Sequence, residues 1–143
     1  MTARRATPED ADEILALMAG LGRPPVADDP TAQRDVALAH LAHPDGMILV
    51  VDGDRGLAGA ASLWFRPRLN WVTPEAWLPD LVVRPAYRRR GIATALLDAC
   101  IAEARARGCH ALKLESGHDR SDAHPLYERY GFDAFGYAYR LKL

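Results

Sequence analysis

The residues of this chain best suited to chemistry run Leu81-Val82-Val83-Arg84-Pro85-Ala86-Tyr87-Arg88-Arg89-Arg90-Gly91-Ile92-Ala93-Thr94, an apolar strand turning through a basic, glycine-containing loop into a helix. The first turn of a helix has amides without internal partners and the positive end of the helix dipole, so an anion settles there. Gly91 and the small Ala93 let a phosphate approach the backbone, and Arg88, Arg89 and Arg90 add charge. In isolation those arginines read as a solvated charge run. Between a strand and an amphipathic helix they read as an anion cradle. Neither the dinucleotide Gly-x-Gly-x-x-Gly nor the nucleoside-triphosphate Gly-Lys-Ser/Thr pattern occurs, so the phosphate belongs to another kind of molecule.

The elements that must position this segment follow from periodicity. Thr2–Arg5 reads as a short strand, and Thr7, Pro8 and Asp10 signal a helix start, followed by Ile14, Leu17, Met18 and Leu21 at helical spacing. Gly22–Pro30 reads as a loop because its prolines block both ladder types, and Thr31–Ala42 as a second helix. Met47–Val51, Leu57–Phe65 and Ala76–Val83 form a predicted meander, joined by the turn 52–56 and the exposed tip Arg66–Pro74. Ala93, Leu96, Leu97, Cys100, Ile101 and Ala104 stripe a long helix over Gly91–Arg107. Ala111–Glu115 predicts a fifth strand, Asp122 the cap of a short helix ending at Gly131, and Phe132–Leu143 one or two last strands. The order β-α-α-β-β-β-α-β-α-β is an α/β (α+β) layering in which the helical crossover makes the fourth and fifth strands parallel neighbours.

Composition bounds the function. At 143 residues, 49% hydrophobic and 26% charged, the chain predicts a single domain over 1–143 with an ordinary core. A net charge of -1 gives no field for nucleic acid, and no aromatic platform is interleaved with the arginines. No apolar run reaches the roughly 20 residues of a membrane span, and no apolar leader follows Met1, so a cytoplasmic location is expected. Cys100 and Cys109 read as reduced thiols outside any Cys-x-x-Cys pair, and the five histidines show no zinc spacing, so no metal is expected.

Arg88-x-x-Gly91-x-Ala93 after an apolar strand, together with Leu126-Tyr127-Glu128-Arg129-Tyr130-Gly131-Phe132 further on, resembles the two signatures of the GCN5-related N-acetyltransferase (GNAT) superfamily, with Leu126 replacing the usual aromatic. The resemblance covers Leu81–Phe132. It implies a mixed central sheet with helices on both faces and splayed fourth and fifth strands, and acetyl-CoA as cosubstrate. Backbone amides from Arg89, Arg90, Gly91, Ile92, Ala93 and Thr94 would hold the pyrophosphate. The pantetheine arm would pair along Leu81, Val82 and Val83, with the Val83 amide facing the thioester carbonyl.

By the same resemblance Tyr127 is the general acid. Its phenol, with an ordinary pKa of about 10, can return a proton to a thiolate whose thiol titrates at about 8.5. A base must deprotonate the attacking ammonium, and Asp80 and Glu75 are the candidates. Pro79 stands where several relatives carry Glu, and either acid also reads as a solvated carboxylate. No cysteine occupies a nucleophile's position, so direct attack in a ternary complex is expected.

Trp64, Arg66, Trp71, Arg120 and His124 are the candidate acceptor contacts, cationic and aromatic groups suited to an amine that bears an anionic group. The layout from Asn70 onward is similar to aminoalkylphosphonate N-acetyltransferases within the superfamily. Glu75, Asp80, Glu115 and Asp119 could instead line an acidic pocket for a polyamine or aminoglycoside. A peptide or protein amine is a further acceptor, and a non-catalytic CoA-binding sensor or interaction module is the reading from another class. Homodimers are common in the superfamily and are expected to be open to this chain.

Overall fold

The computed structural model describes residues 1–20, 28–115 and 123–143. The described elements are β1 (Ala3–Arg5), α1 (Ala11–Gly20), α2 (Pro30–Ala42), β2 (Gly46–Gly53), β3 (Gly56–Arg66), β4 (Glu75–Val83), α3 (Ile92–Ala106), β5 (Leu112–Leu114) and α4 (His124–Arg129), with 3₁₀ turns at Pro8–Asp10 and Pro85–Tyr87. They fall into two compact units, Met1–Lys113 and Leu114–Leu143.

The strands form one mixed sheet in the order β1-β2-β3-β4-β5. The first four pair antiparallel. Between β4 and β5, His110 N–H donates to Pro74 O at 3.0 Å and Ala76 N–H to Ala111 O at 2.9 Å, so the two chains advance together in the parallel sense that the crossover requires. Ile14 and Leu17 of α1 pack on Ile48, Val50, Leu57, Ala60 and Val82, which are inward residues of one sheet face. The opposite face takes α3, whose Ile92, Leu96, Leu97 and Cys100 are buried. At Gly59 a side-chain Cβ would come within 2.8 Å of Ile92 Cγ2 and of Val82 O, so glycine lets this helix sit close to the sheet.

Helix starts follow the sequence signals. Asp10 reaches back to accept from Thr7 N–H at 2.8 Å. Asp29 caps α2 by accepting from Ala32 N–H at 3.0 Å, which brings Pro30 into the first turn and moves the helix start one residue ahead of the expected Thr31. The predicted loop Gly22–Pro30 otherwise lies mostly outside the described residues, as does the predicted cap Asp122.

One expectation is corrected. Phe132–Leu143 carries no strand, and Phe135, Tyr137, Tyr139, Leu141 and Leu143 are exposed. Their alternation specifies which face a strand would show, but a strand exists only where a neighbouring chain completes its ladder.

Candidate functional site

The segment expected to hold the cofactor begins on β4. Arg84 N–H donates to Ala58 O at 2.8 Å, which makes 58 with 84, 60 with 82 and 62 with 80 the hydrogen-bonded pairs of this antiparallel ladder. Leu81 and Val83 occupy the alternate pairs, opposite Ala61 and Gly59. Their amides and carbonyls therefore point away from β3, towards the other edge of the strand. Val82 is buried, with its side chain in the α1 core.

Past Pro85–Tyr87 the chain enters a left-handed stretch. Arg89 has φ 61° and Gly91 φ 79°. For a residue with a Cβ such a conformation costs about 1 kcal/mol or more, so Arg89 holds local strain while Gly91 does not. Gly91 is the N-cap of α3, and the first bond of its ladder runs from Ala95 N–H to Gly91 O at 2.9 Å. The amides of Ile92, Ala93 and Thr94 thus project from the helix end. Among the described residues, apart from Gly91 and its chain neighbours, no atom lies within 4 Å of where a Gly91 Cβ would be, leaving open space against the backbone. Arg88, Arg89 and Arg90 are exposed around it, and the Arg90 guanidinium lies 5.4 Å from the Tyr87 ring centroid. The arrangement fits a diphosphate.

The candidate acids sit differently. Asp80 is half-buried and accepts from Ser62 Oγ at 2.7 Å. Glu75 is fully buried, with Arg68 Nη1 at 2.6 Å, Lys113 Nζ at 2.9 Å and Arg66 Nε at 3.7 Å. Burial pushes its carboxyl up, but hydrogen bonds from Arg68 and Lys113 and the nearby charges of Lys113 and Arg66 outweigh this, holding it below the ordinary range. Burial pushes the Cys100 thiol up to about 12 and raises Cys109 as well, so neither is a ready thiolate.

Of the acceptor candidates, Trp64 and Arg66 share a face of β3 with Glu75 and Trp77 opposite them on β4. Trp64 stacks on His40 at 4.1 Å, and Arg66 lies over Trp77 at 4.8 Å. Trp71 stands apart on the β3–β4 tip, half exposed and stacked on His110 at 3.8 Å. The histidine partners carried no signal in the sequence, because each meets its tryptophan only through tertiary packing. Arg120 lies outside the described residues. His124 opens α4. Among the described residues no three His, Cys, Asp or Glu side chains gather as a metal site, and no helix is long and apolar enough to cross a membrane.

In the second unit, Phe132 N–H donates to Tyr127 O at 3.1 Å and Gly131 N–H to Glu128 O at 3.0 Å, with Gly131 at φ 90°. This paired closure ends α4 and seats the Phe132 ring edge-on to Tyr127, centroids 5.9 Å apart. The spacing Tyr-x-x-x-Gly-Phe is therefore a helix stop that orients the tyrosine.

A strand edge running into the projecting amides of a helix start, on a mixed sheet covered on both faces, is an arrangement suited to a long diphosphate ligand. The chain belongs to the acetyltransferase (GNAT) family, whose model matches residues 14–132 and whose members take the acetyl group from acetyl-CoA. It is 32% identical over 88 residues to a glucosamine 6-phosphate N-acetyltransferase of Trypanosoma brucei brucei, an alignment covering 61% of this chain and 58% of that protein. It is 40% identical over 62 residues to the ribosomal protein bS18-alanine N-acetyltransferase of Escherichia coli K12, covering 43% of this chain and 42% of that one. The chain thus spans about half the length of the curated relatives it matches. In fold it is similar to a solved structure described as a transcriptional regulator from Bacillus halodurans C-125, with TM-score 0.89, 24% identity and 99% of each chain covered.

Proposed function

We propose that this protein is an acetyl-CoA-dependent N-acetyltransferase that moves the acetyl group to the primary amine of a small molecule bearing an anionic group. The observation that carries the reading is the run of outward-turned main chain at Leu81 and Val83, continuing into the projecting amides of Ile92, Ala93 and Thr94. A pantetheine arm pairs with the first as an added strand, and a diphosphate seats on the second together with Arg88–Arg90. In this reading 1–143 is one functional domain, since Leu114–Leu143 is too short to build its own core.

Chemistry then proceeds by direct attack. The amine nitrogen adds to the thioester carbonyl, whose oxygen takes negative charge opposite the Val83 amide. The carbon–sulfur bond breaks, and the departing thiolate receives the Tyr127 proton, releasing an acetamide and free coenzyme. The Cys100 and Cys109 thiols stand out of the path because burial keeps both protonated. Asp80 is the stronger candidate for taking the ammonium proton, directly or through water. Glu75 has a low proton affinity and three cations around it, which suits a clamp better than a base.

The anionic preference draws on Arg66 and His124, and on the sugar phosphate amine named for the trypanosomal relative. A peptide N-terminus is the second reading, favoured by the alanine acceptor named for the bacterial relative. A cytoplasmic location belongs to the same proposal, and a homodimer would show as a doubled mass in light scattering. Thiol release from acetyl-CoA decides among acceptors when followed with glucosamine 6-phosphate, aminoalkylphosphonates, polyamines, aminoglycosides and an alanine-initiated peptide. The expected result is fastest release with an anionic small amine. Coenzyme binding without release for any acceptor would replace the enzyme by a sensor.

A further inference from the structure

Tyr87 stands where the sheet hands over to the cradle, and nothing assigned to the site so far uses it. It is 5% exposed. Its hydroxyl donates to Asp54 Oδ1 and accepts from the amides of Asp54 at 3.0 Å and Arg55 at 3.3 Å, so the phenol is satisfied as donor and as acceptor by the β2–β3 turn. Its ring lies against Gly53, where a Cβ would come within 2.5 Å of the ring carbon and oxygen. The same turn region is braced a second time. Arg84 Nε donates to Leu57 O at 2.8 Å, and Glu13 Oε1 accepts from Leu57 N–H at 2.6 Å while lying 3.5 Å from Arg84 Nη2.

These anchors sit immediately before the strained stretch, with Arg89 at φ 61° two residues further on. The far end is fixed by α3, whose Ile92 is buried against Gly59. A loop in an unfavourable backbone conformation keeps it only while its surroundings hold both ends. We propose that Tyr87 is a positioning residue for the coenzyme: its hydroxyl moors the Arg88–Gly91 loop to the β2–β3 turn, holding the phosphate-facing amides in place before the ligand arrives. This rests on the cradle being the diphosphate site. Ordering the loop in advance removes an entropic cost from binding, so the effect falls on the diphosphate and spares the pantetheine arm and the chemical step.

Tyr87→Phe tests it, because the ring stays on Gly53 and beneath Arg90 while the mooring bonds are lost. Calorimetry with coenzyme A and with pantetheine, which lacks the diphosphate, is run on wild type and variant beside steady-state kinetics. The expected result is that wild type prefers coenzyme A and that Tyr87→Phe weakens coenzyme A by about tenfold. Pantetheine affinity should hold, and KM for acetyl-CoA should rise with kcat preserved. Asp54→Ala removes the hydroxyl's acceptor from the other side and should give the same selective loss. Asp54→Asn, which keeps a carbonyl acceptor, should restore most of it. If Tyr87→Phe fails to fold, the Asp54 pair carries the test. Unchanged coenzyme A affinity in the folded variants, or equal losses for both ligands, overturns the mooring role. A wild type that binds coenzyme A no better than pantetheine overturns the cradle reading itself, and this inference with it.

Discussion

A phenol and a carboxylate of this chain owe their chemistry to what touches them. Tyr127 is oriented by the Phe132 ring and by the helix stop at Gly131. Replacing it with Phe keeps that packing and removes the proton, so kcat should fall by about 10²-fold with coenzyme affinity unchanged, measured by thiol release and calorimetry. Glu75 is held below the ordinary carboxylate value by Arg68, Lys113 and Arg66 against the effect of burial. A carboxyl depressed in the folded state contributes stability that is complete above its unfolded value and is lost as pH falls through the folded one. Thermal melts of the wild type should therefore weaken on acidification, and Glu75→Gln should flatten that dependence. At neutral pH the variant should be less stable by about 2 kcal/mol, under the usual figure for a broken buried pair because its cations reach solvent. A Glu75→Gln protein that melts like wild type but has lost turnover would return Glu75 to the role of base.

The elements place the segment 81–94 by close approach. Gly59 brings α3 onto β3, and α3 in turn presents its first-turn amides beside the end of β4. Gly59→Ala should force the helix outward and destabilise by about 2 kcal/mol in chemical denaturation. Gly91→Ala meets no described residue beyond its chain neighbours, yet must hold φ 79°, and its methyl would occupy the space proposed for phosphate. The two substitutions should separate: the first lowers stability most, the second raises the KM for acetyl-CoA most. The register shift between Ser62 and Trp64 sets two residues of β4, Leu78 and Pro79, against Leu63 of β3. Such a bulge accommodates a proline that cannot donate to the ladder and bends the strand just before Asp80.

For the molecule as a whole, a ligand held by the native main chain must stabilise the native state. Acetyl-CoA at about 100 times its dissociation constant should add about 2.7 kcal/mol, seen as a raised melting temperature, and pantetheine at equal concentration should add less. The folded chain also joins groups far apart in sequence. Arg4 binds both Asp10 and Asp52, Glu13 binds Leu57 and Arg84, and Tyr87 binds the 54–55 turn. The segment 81–94 is thereby tied to the first helix and the central hairpin.

The sequence by itself determined the helices, the meander, the glycine at the head of α3 and the Tyr-Gly-Phe stop, because each is a local matter of period, capping residue or glycine. Gly91 at φ 79° and Gly131 at φ 90° take a conformation that glycine reaches at little cost. Only the tertiary structure decided what Glu75 is surrounded by, which histidines stack on Trp64 and Trp71, and that Tyr87 anchors a turn more than thirty residues away. It also decided that Phe132–Leu143 carries no strand despite its alternation. Burial, ion pairing and ladder completion depend on residues brought together by folding, and no local pattern carries the identity of a partner distant in the chain.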